Sequence, residues 1–257
     1  MSMRDQIINA SVNKIKLLLV LFAFSSLICP LAKAQTYTIE SFEGAKAKIS
    51  LSETFRGRAL AVICLQDTIF LNGYRRITKV RVLKGKFLQI TYNVGGGTGL
   101  SVDNTAIFCV INQKMHVSVV IDSYSTWFSP DPNNLQLTDI KDTFSLHFKI
   151  TGDNIRNYKL IGTTHVAHRS KINPDSNYRQ NKQFTLGFDS VLNIFYSERR
   201  KINQSFVFND PITCQTHQQE VNETIPVIGT WRRDYYYIRG EWYKTGYYNT
   251  LFKDYYR

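Results

Sequence analysis

The sequence predicts an all-β fold in which antiparallel strands pack as a sandwich or a barrel-like domain. Three observations carry this prediction: apolar residues alternate with polar ones in several segments, turn-forming pairs separate those segments, and no amphipathic helical stripe of convincing length follows residue 35. The chain has 257 residues, of which 43% are hydrophobic and 20% charged, so it has enough apolar material for a core and too little charge for a disordered chain.

Two kinds of strand are predicted. Period-two alternation indicates strands with one buried face, and the clearest example runs from Phe144 to Ile150. The alternating segments are 88–94, 117–122, 144–150 and 184–189. Two further runs, 59–65 and 106–111, are apolar at every position, which predicts central strands covered on both faces.

Turn chemistry divides the chain into hairpins. The pairs Asn72-Gly73, Lys84-Gly85 and Asn112-Gln113 predict tight turns. The glycine-rich segment 94–99 lacks the Lys-Ser/Thr ending of a phosphate loop and is predicted to be a hairpin loop.

Two polar segments are predicted to be longer loops. The stretch 168–182 is the longest candidate and the best place for a helical turn. The segment 129–134 is a second candidate, which could separate an N-terminal sheet from a C-terminal one and so subdivide the domain near 129–138.

A small propeller is the alternative architecture. The segment around Cys64 resembles the one around Cys109 at a separation of 45 residues, and the segment at Phe144 resembles the one at Phe184 at 40 residues. These spacings are propeller-like, but no repeated turn motif accompanies them. The sandwich or barrel is therefore favoured.

The first 34 residues are predicted to be a signal peptide. Arg4, Lys14 and Lys16 precede an uncharged apolar run, and Ala32 and Ala34 occupy the two positions that a signal peptidase reads. We expect cleavage before Gln35, a single all-β domain over 35–257, and a secreted, periplasmic or cell-envelope location. The alternative is an uncleaved anchor, although the apolar run is shorter than the roughly 20 residues of a spanning helix. The mature chain contains no second apolar run of comparable length, so we predict no transmembrane helix in it.

The net charge indicates an anionic partner. The formal charge is +12, and removing residues 1–34, with their four Lys/Arg and one acidic residue, leaves +9. Because an exported protein does not meet nucleic acid in its ordinary compartment, we expect no nucleic-acid partner. An acidic glycan, an anionic lipid surface or an acidic protein fits the charge better. A charge that serves solubility alone is the alternative.

Three cysteines remain after the predicted cleavage: Cys64, Cys109 and Cys214. Cys64 and Cys109 could form a disulfide if their strands were neighbours. Because both lie in wholly apolar segments, we favour two buried free thiols.

Four residues could hold zinc. His165 with His168, and Cys214 with His217, are two pairs with two intervening residues, a spacing that zinc sites use. A strand would place the members of each pair on opposite faces, so the site requires both pairs to lie in turns. Exposed loop histidines are the alternative, and we expect no cofactor other than this zinc.

The last 27 residues are rich in aromatic and basic side chains, with eight Tyr, two Trp and six Lys/Arg. Aromatic rings stack on sugars while cations bind acidic substituents, so this segment is predicted to bind a ligand. The alternative is a closing hairpin of paired aromatic residues. The predicted ligand-binding residues are Arg232, Arg233, Arg239, Trp242 and Lys244.

Together these features predict an exported binding or structural protein that contacts an acidic glycan or another anionic polymer. A secreted hydrolase is the main alternative, although neither a Gly-x-Ser-x-Gly nor a His-Glu-x-x-His motif occurs. A small outer-membrane barrel is a second alternative, but charges such as Lys79 and Arg81 interrupt the alternation that it requires.

Overall fold

The structure is a computed structural model that describes residues 35–54, 57, 59–95, 99–131, 134–202, 206–209, 216–219, 225–230, 233–238 and 240–244. The predicted signal peptide lies outside these residues. Residues 35–257 belong to one compact unit.

Seventeen strands and one short 3₁₀ turn are formed by the described residues. The 3₁₀ turn is Pro174–Ser176. The strands are β1 (Gln35–Glu40), β2 (Lys46–Glu53), β3 (Ala59–Cys64), β4 (Asp67–Asn72), β5 (Arg76–Leu83), β6 (Phe87–Gly95), β7 (Leu100–Ile111), β8 (Lys114–Asp131), β9 (Asn134–Thr151), β10 (Lys159–Ser170), β11 (Tyr178–Asp189), β12 (Ile194–Ile202), β13 (Phe206–Asn209), β14 (Thr216–Gln219), β15 (Ile225–Thr230), β16 (Arg233–Ile238) and β17 (Glu241–Lys244).

These strands form two antiparallel sheets. The smaller sheet has the order β1-β2-β3-β4, and the larger has the order β14-β13-β17-β16-β15-β12-β11-β10-β9-β8-β7-β6-β5. The all-β, sandwich-like prediction is confirmed. The described strands neither close into a barrel nor repeat as four-stranded blades, so the propeller alternative is wrong.

A first apolar cluster fills the space between the two sheets. Residues of the smaller sheet, such as Ile49 and Val62, belong to the same buried cluster as Ile90 and Phe108 of the larger sheet. All four side chains are fully buried or nearly so. This inter-sheet cluster explains the alternation of β2 and the packing of the smaller sheet against β6 and β7.

A second apolar cluster lies on the other side of β7. It joins Ile107 and Cys109 of β7 to residues of β9 to β12 and to Ile228, Tyr235 and Trp242 near the C-terminus. The C-terminal strands contact β8 directly, because the Tyr235 hydroxyl donates a hydrogen bond of 2.6 Å to Asp122 Oδ1.

The second cluster has room to form because the larger sheet forks at β8. Strand β8 pairs with β7 from Lys114 to Trp127, but with β9 only from Tyr124 onward. Residues 146–151 of β9 pair with β10 but not with β8, so this half of β9 diverges from β8. The fork separates the two halves of the sheet, and apolar side chains fill it.

The two wholly apolar runs have different outcomes. The prediction for 106–111 is confirmed, because alternate residues of this run belong to the first and second clusters. The prediction for 59–65 holds only in part. Leu60, Val62 and Cys64 belong to the inter-sheet cluster, whereas on the other face Ala61 is buried but Ala59 and Ile63 are half-buried.

Two of the three predicted hairpin turns are confirmed, whereas Asn72-Gly73 connects β4 of the smaller sheet to β5 of the larger sheet, and these two strands do not pair. Lys84 and Gly85 have φ of 52° and 71°, and Asn112 and Gln113 have φ of 50° and 62°. Positive φ at both central residues is the geometry of hairpin turns that match the twist of the strands. Residues 96–98 of the glycine-rich segment lie outside the described residues, and the strands on either side of it, β6 and β7, pair with each other in antiparallel orientation.

The two predicted long loops need correction. Within 168–182 the helical turn is present, but strands occupy both ends of the segment. The first residues of the loop are held in place by Asp139 Oδ1, which accepts hydrogen bonds from Ser170 Oγ and from the backbone N–H groups of Lys171 and Ile172. Backbone hydrogen bonding also lowers the pKa of Asp139. The segment 129–134 joins β8 to β9 within the larger sheet, so it does not separate two sheets.

Within the described part of the chain, no helix is long and apolar enough to cross a membrane.

Candidate functional site

The described part of the C-terminal segment forms a hairpin, which was the alternative to a binding surface. Strands β16 and β17 pair from Tyr235 opposite Lys244 to Ile238 opposite Glu241. Trp242 is only 8% exposed, belongs to the second cluster and donates from Nε1 to the Val117 carbonyl at 3.1 Å. Its ring is therefore core material and is not available to stack on a surface ligand.

The other predicted C-terminal ligands receive no side-chain description. Arg232 and Arg239 lie outside the described residues. Arg233 lies on β16 and Lys244 on β17, and only their backbone positions are described.

The predicted zinc ligands are not brought together in the described part of the chain. His165 and His168 both lie on β10, in a strand and not in the turn that the site requires, so their side chains point to opposite faces. Cys214 lies outside the described residues, and His217 lies on β14 without a described side chain. The described residues contain no group of three or more His, Cys, Asp or Glu side chains that could hold a metal ion.

Cys64 and Cys109 are free, buried thiols, as favoured from the sequence. They belong to different clusters, Cys64 to the inter-sheet cluster and Cys109 to the second one. Burial raises the pKa of both thiols, that of Cys109 to about 12. Such thiols are poor nucleophiles at neutral pH because the thiolate is the reactive form.

A polar surface with a strong excess of basic residues covers one face of β9, β10 and β11. These strands pair in unbroken antiparallel register, so alternate residues share a face. Within the stretch where the three strands pair, the face turned away from the second cluster carries five Lys/Arg and two His and no Asp or Glu, whereas Asp139 of β9 and Asp189 of β11 lie just beyond its ends. We call it the basic face. Its members are Lys141, Thr143, Ser145, His147, Lys149 and Thr151 of β9, Lys159, Ile161, Thr163, His165, Ala167 and Arg169 of β10, and Arg179, Asn181, Gln183, Thr185 and Gly187 of β11.

The charges of the basic face gather at its two ends. Lys141 lies directly opposite Arg169, with Arg179 on the next strand, while Lys149 and Lys159 lie at the far end. All five side chains are exposed. Lys149 lies eight positions after Lys141 on the same strand, which corresponds to about 26 Å at ~3.3 Å per residue. An elongated anion can therefore contact both ends at once.

Two histidines occupy the middle of the basic face. The rings of His147 and His165 are edge to face, with centroids 5.4 Å apart. His165 Nδ1 lies 2.8 Å from Asn181 Oδ1, an amide on the adjacent strand. The residue predicted as a zinc ligand is therefore a polar member of this exposed surface.

The opposite face of the same strands carries two aromatic residues on either side of an acid and a histidine. Trp127 of β8 lies opposite Asp142 of β9, Asp142 lies opposite His168 of β10, and His168 lies opposite Tyr178 of β11. We call these four residues the aromatic row. Trp127 is 41% exposed and Tyr178 is 43% exposed.

His168 is held from both sides. Its Nδ1 lies 2.6 Å from Asp142 Oδ1, and its Nε2 lies 3.3 Å from Ser176 Oγ. The ring of Tyr178 stacks on the imidazole with an interplanar angle of 12° and a centroid separation of 5.5 Å.

The contacts from Asp142 to His168 to Ser176 resemble the catalytic triad of a serine hydrolase. The Ser176 hydroxyl, however, does not donate its hydrogen bond to His168. Ser176 Oγ donates to the Asn173 carbonyl at 2.7 Å. The backbone N–H groups of Ser176 and Asn177 also donate to carbonyls within the turn, so neither is free to stabilise an oxyanion. The contacts of Ser176 therefore orient His168 and do not arrange a nucleophile.

The aromatic row and the basic face were both missed from the sequence. Each combines residues of three or four strands, and only the strand register brings them together. A partial signal was present, since the alternation at 144–150 assigned His147 and Lys149 to a polar face.

No protein-family model matches this chain, and no curated protein or solved structure matches it significantly.

Proposed function

We propose that this is an exported protein that binds acidic glycans through the basic face. The observation that supports the proposal is the composition of that face: its paired stretch carries five exposed Lys/Arg and two His, and the acidic residues of these strands on that side, Asp139 and Asp189, lie only beyond its ends. A surface that serves solubility alone mixes charges of both signs, whereas this one presents a single sign over three strands.

The layout of the face favours a polymer over a small anion. Its two positive ends lie about 26 Å apart along the strands, with Ser, Thr, Asn and Gln side chains between them. Those polar groups can hydrogen-bond the hydroxyl groups of a glycan while the cations bind its acidic substituents. The predicted export of the chain favours a glycan over nucleic acid.

The test measures the binding of purified protein to heparin and to polygalacturonate by titration calorimetry at a series of salt concentrations. We expect binding at low ionic strength that weakens as salt screens the charges. Replacing Lys149, Lys159, Arg169 and Arg179 together by Ala should weaken binding by roughly tenfold or more, since each exposed pair contributes about 0.2–1 kcal/mol.

A matched control removes the same number of positive charges elsewhere. Lys46, Lys48, Lys79 and Lys114 are exposed and lie outside the basic face, so their replacement by Ala should leave most of the affinity intact. Equal losses in both variants would show that net charge and not this face governs binding. Absence of binding of the folded wild type to either polymer at low salt would refute the proposal.

A further inference from the structure

We propose that the aromatic row is a second, separate binding site, which takes the uncharged ring of a sugar. Trp127 and Tyr178 would stack on sugar faces, and Asp142 and His168 between them would hydrogen-bond ring hydroxyl groups. This site lies on the opposite side of the sheet from the basic face, and it stands or falls independently of the function proposed above.

The two aromatic rings are accessible although their strands are paired. Trp127 and Tyr178 are among the exposed large hydrophobic side chains of the described residues. One face of the Tyr178 ring covers His168. Strand β11 pairs with β12 only from Gly187 to Asp189, so the strand edge beside Tyr178 is unpaired in the described structure. Because Tyr178 is 43% exposed although one face of its ring covers His168, part of the ring remains accessible to a ligand.

The polar pair in the middle is fixed in position and still accessible. The side chain of Asp142 is 44% exposed and that of His168 is 20% exposed. Asp142 Oδ1 is held by His168 Nδ1 at 2.6 Å. Among the described residues the other carboxylate oxygen has no protein partner, so it can accept a hydrogen bond from a hydroxyl group. A carboxylate acceptor makes a stronger bond than a neutral one.

A sugar fits this combination better than an apolar protein surface does. Covering Asp142 with apolar side chains would remove a carboxylate from water without replacing its hydrogen bonds, which is unfavourable. A sugar ring presents C–H groups to the aromatic faces and hydroxyl groups at its rim. It therefore satisfies the rings and the carboxylate together.

The test uses three neutral probes: cellohexaose, xylohexaose and chitohexaose. Titration calorimetry should detect binding of at least one of them with a Kd of micromolar to millimolar order. Because the contacts are uncharged on the sugar side, the affinity should change little with salt. Trp127→Ala and Tyr178→Ala should each weaken binding by roughly fivefold to tenfold.

Tyr124→Ala is the matched control. Tyr124 is 41% exposed on the same hairpin, but it lies opposite Ser145 and therefore shares a face with the basic residues. This substitution and the quadruple basic-face variant should leave neutral-sugar binding unchanged. Trp127→Phe should restore part of the affinity lost in Trp127→Ala, and circular dichroism confirms that each variant is folded.

The proposal is overturned if no probe binds the folded wild type, or if Tyr124→Ala weakens binding as much as Trp127→Ala does. If Trp127→Ala does not fold, Tyr178→Ala on the unpaired strand edge decides the question. Loss of heparin binding in the quadruple variant with retained binding of the neutral probe would show that the two sites are distinct.

Discussion

The apolar run of β3, residues 59–64, and that of β7, residues 106–111, are similar as sequences, yet they occupy different places in the fold. Both contribute to the inter-sheet cluster, through Val62 in β3 and Phe108 in β7. The second face of β7 is buried by strands that come much later in the chain, whereas the second face of β3 is only partly covered, with Ala61 buried and Ile63 half-buried. An apolar run thus predicts a strand, but the number of its covered faces depends on distant partners.

The largest expected effect compares two isoleucines on the second faces of these strands. Ile107 of β7 is fully buried, and Ile63 of β3 is half-buried. Ile107→Ala should lower the free energy of unfolding by about 2–5 kcal/mol, because it removes apolar contacts and leaves a cavity. Ile63→Ala should cost clearly less, because its outer side is already partly hydrated. Urea denaturation of both variants measures the difference, and equal costs would mean that β3 is also covered on both faces.

A second prediction concerns the inter-sheet cluster that β3 and β7 share. Burial raises the pKa of Tyr92 to about 12, compared with 10.0 for an unperturbed tyrosine. Between these values the phenol ionises in the unfolded chain but stays neutral in the folded one. Its stabilising contribution, on the order of 3 kcal/mol, is therefore complete below pH 10 and lost as the pH rises to about 12.

Tyr92→Phe removes this contribution and its pH dependence. Stability curves measured by urea denaturation over the same alkaline range should fall less steeply in the variant, by about 1.4 kcal/mol per pH unit, which is the effect of one proton. An unchanged slope would show that Tyr92 ionises equally easily in the folded protein. The interface between the two sheets would then be hydrated.

The smallest expected effect is a difference in rate between the two buried thiols. The smaller sheet has only four strands, so we expect β3 to open locally at a lower free energy than β7, which lies between two clusters. Cys64 should therefore be alkylated by iodoacetamide before Cys109, and Cys109 should react only when the protein unfolds. Mass mapping of labelled peptides distinguishes the two, and faster labelling of Cys109 would reverse the proposed order of stability.

The elements that could be predicted from the sequence are those whose formation depends on neighbouring residues. Alternation depends on neighbouring residues, so the strand containing Phe144 could be predicted, and positive φ favours the residue types found at Lys84-Gly85 and Asn112-Gln113. The loop after His168 was predicted too long because Asp139, from another strand, ties down its first residues. That contact has no signature in the loop itself.

The candidate sites were harder to predict for the same reason. Trp242 was predicted to bind a ligand, with a closing hairpin as the alternative, because its neighbours are basic and aromatic. Its burial depends on contacts with β8, more than 100 residues earlier in the chain. The aromatic row requires three strand registers to be known at once. A shift of one residue in any of them would move its members to the other face.

The fork at β8 also dictates the order in which the chain can complete its fold. From β5 to β12 the strands pair in sequence order, so each hairpin can form as soon as its two strands exist. The fork closes only when Tyr235 reaches Asp122, a contact that spans 113 residues. Until then the apolar side chains of β7 that face the fork remain exposed to water. A chain synthesised from its N-terminus would therefore have an unfinished core until its final strands emerge, and in that state it would be vulnerable to aggregation and proteolysis.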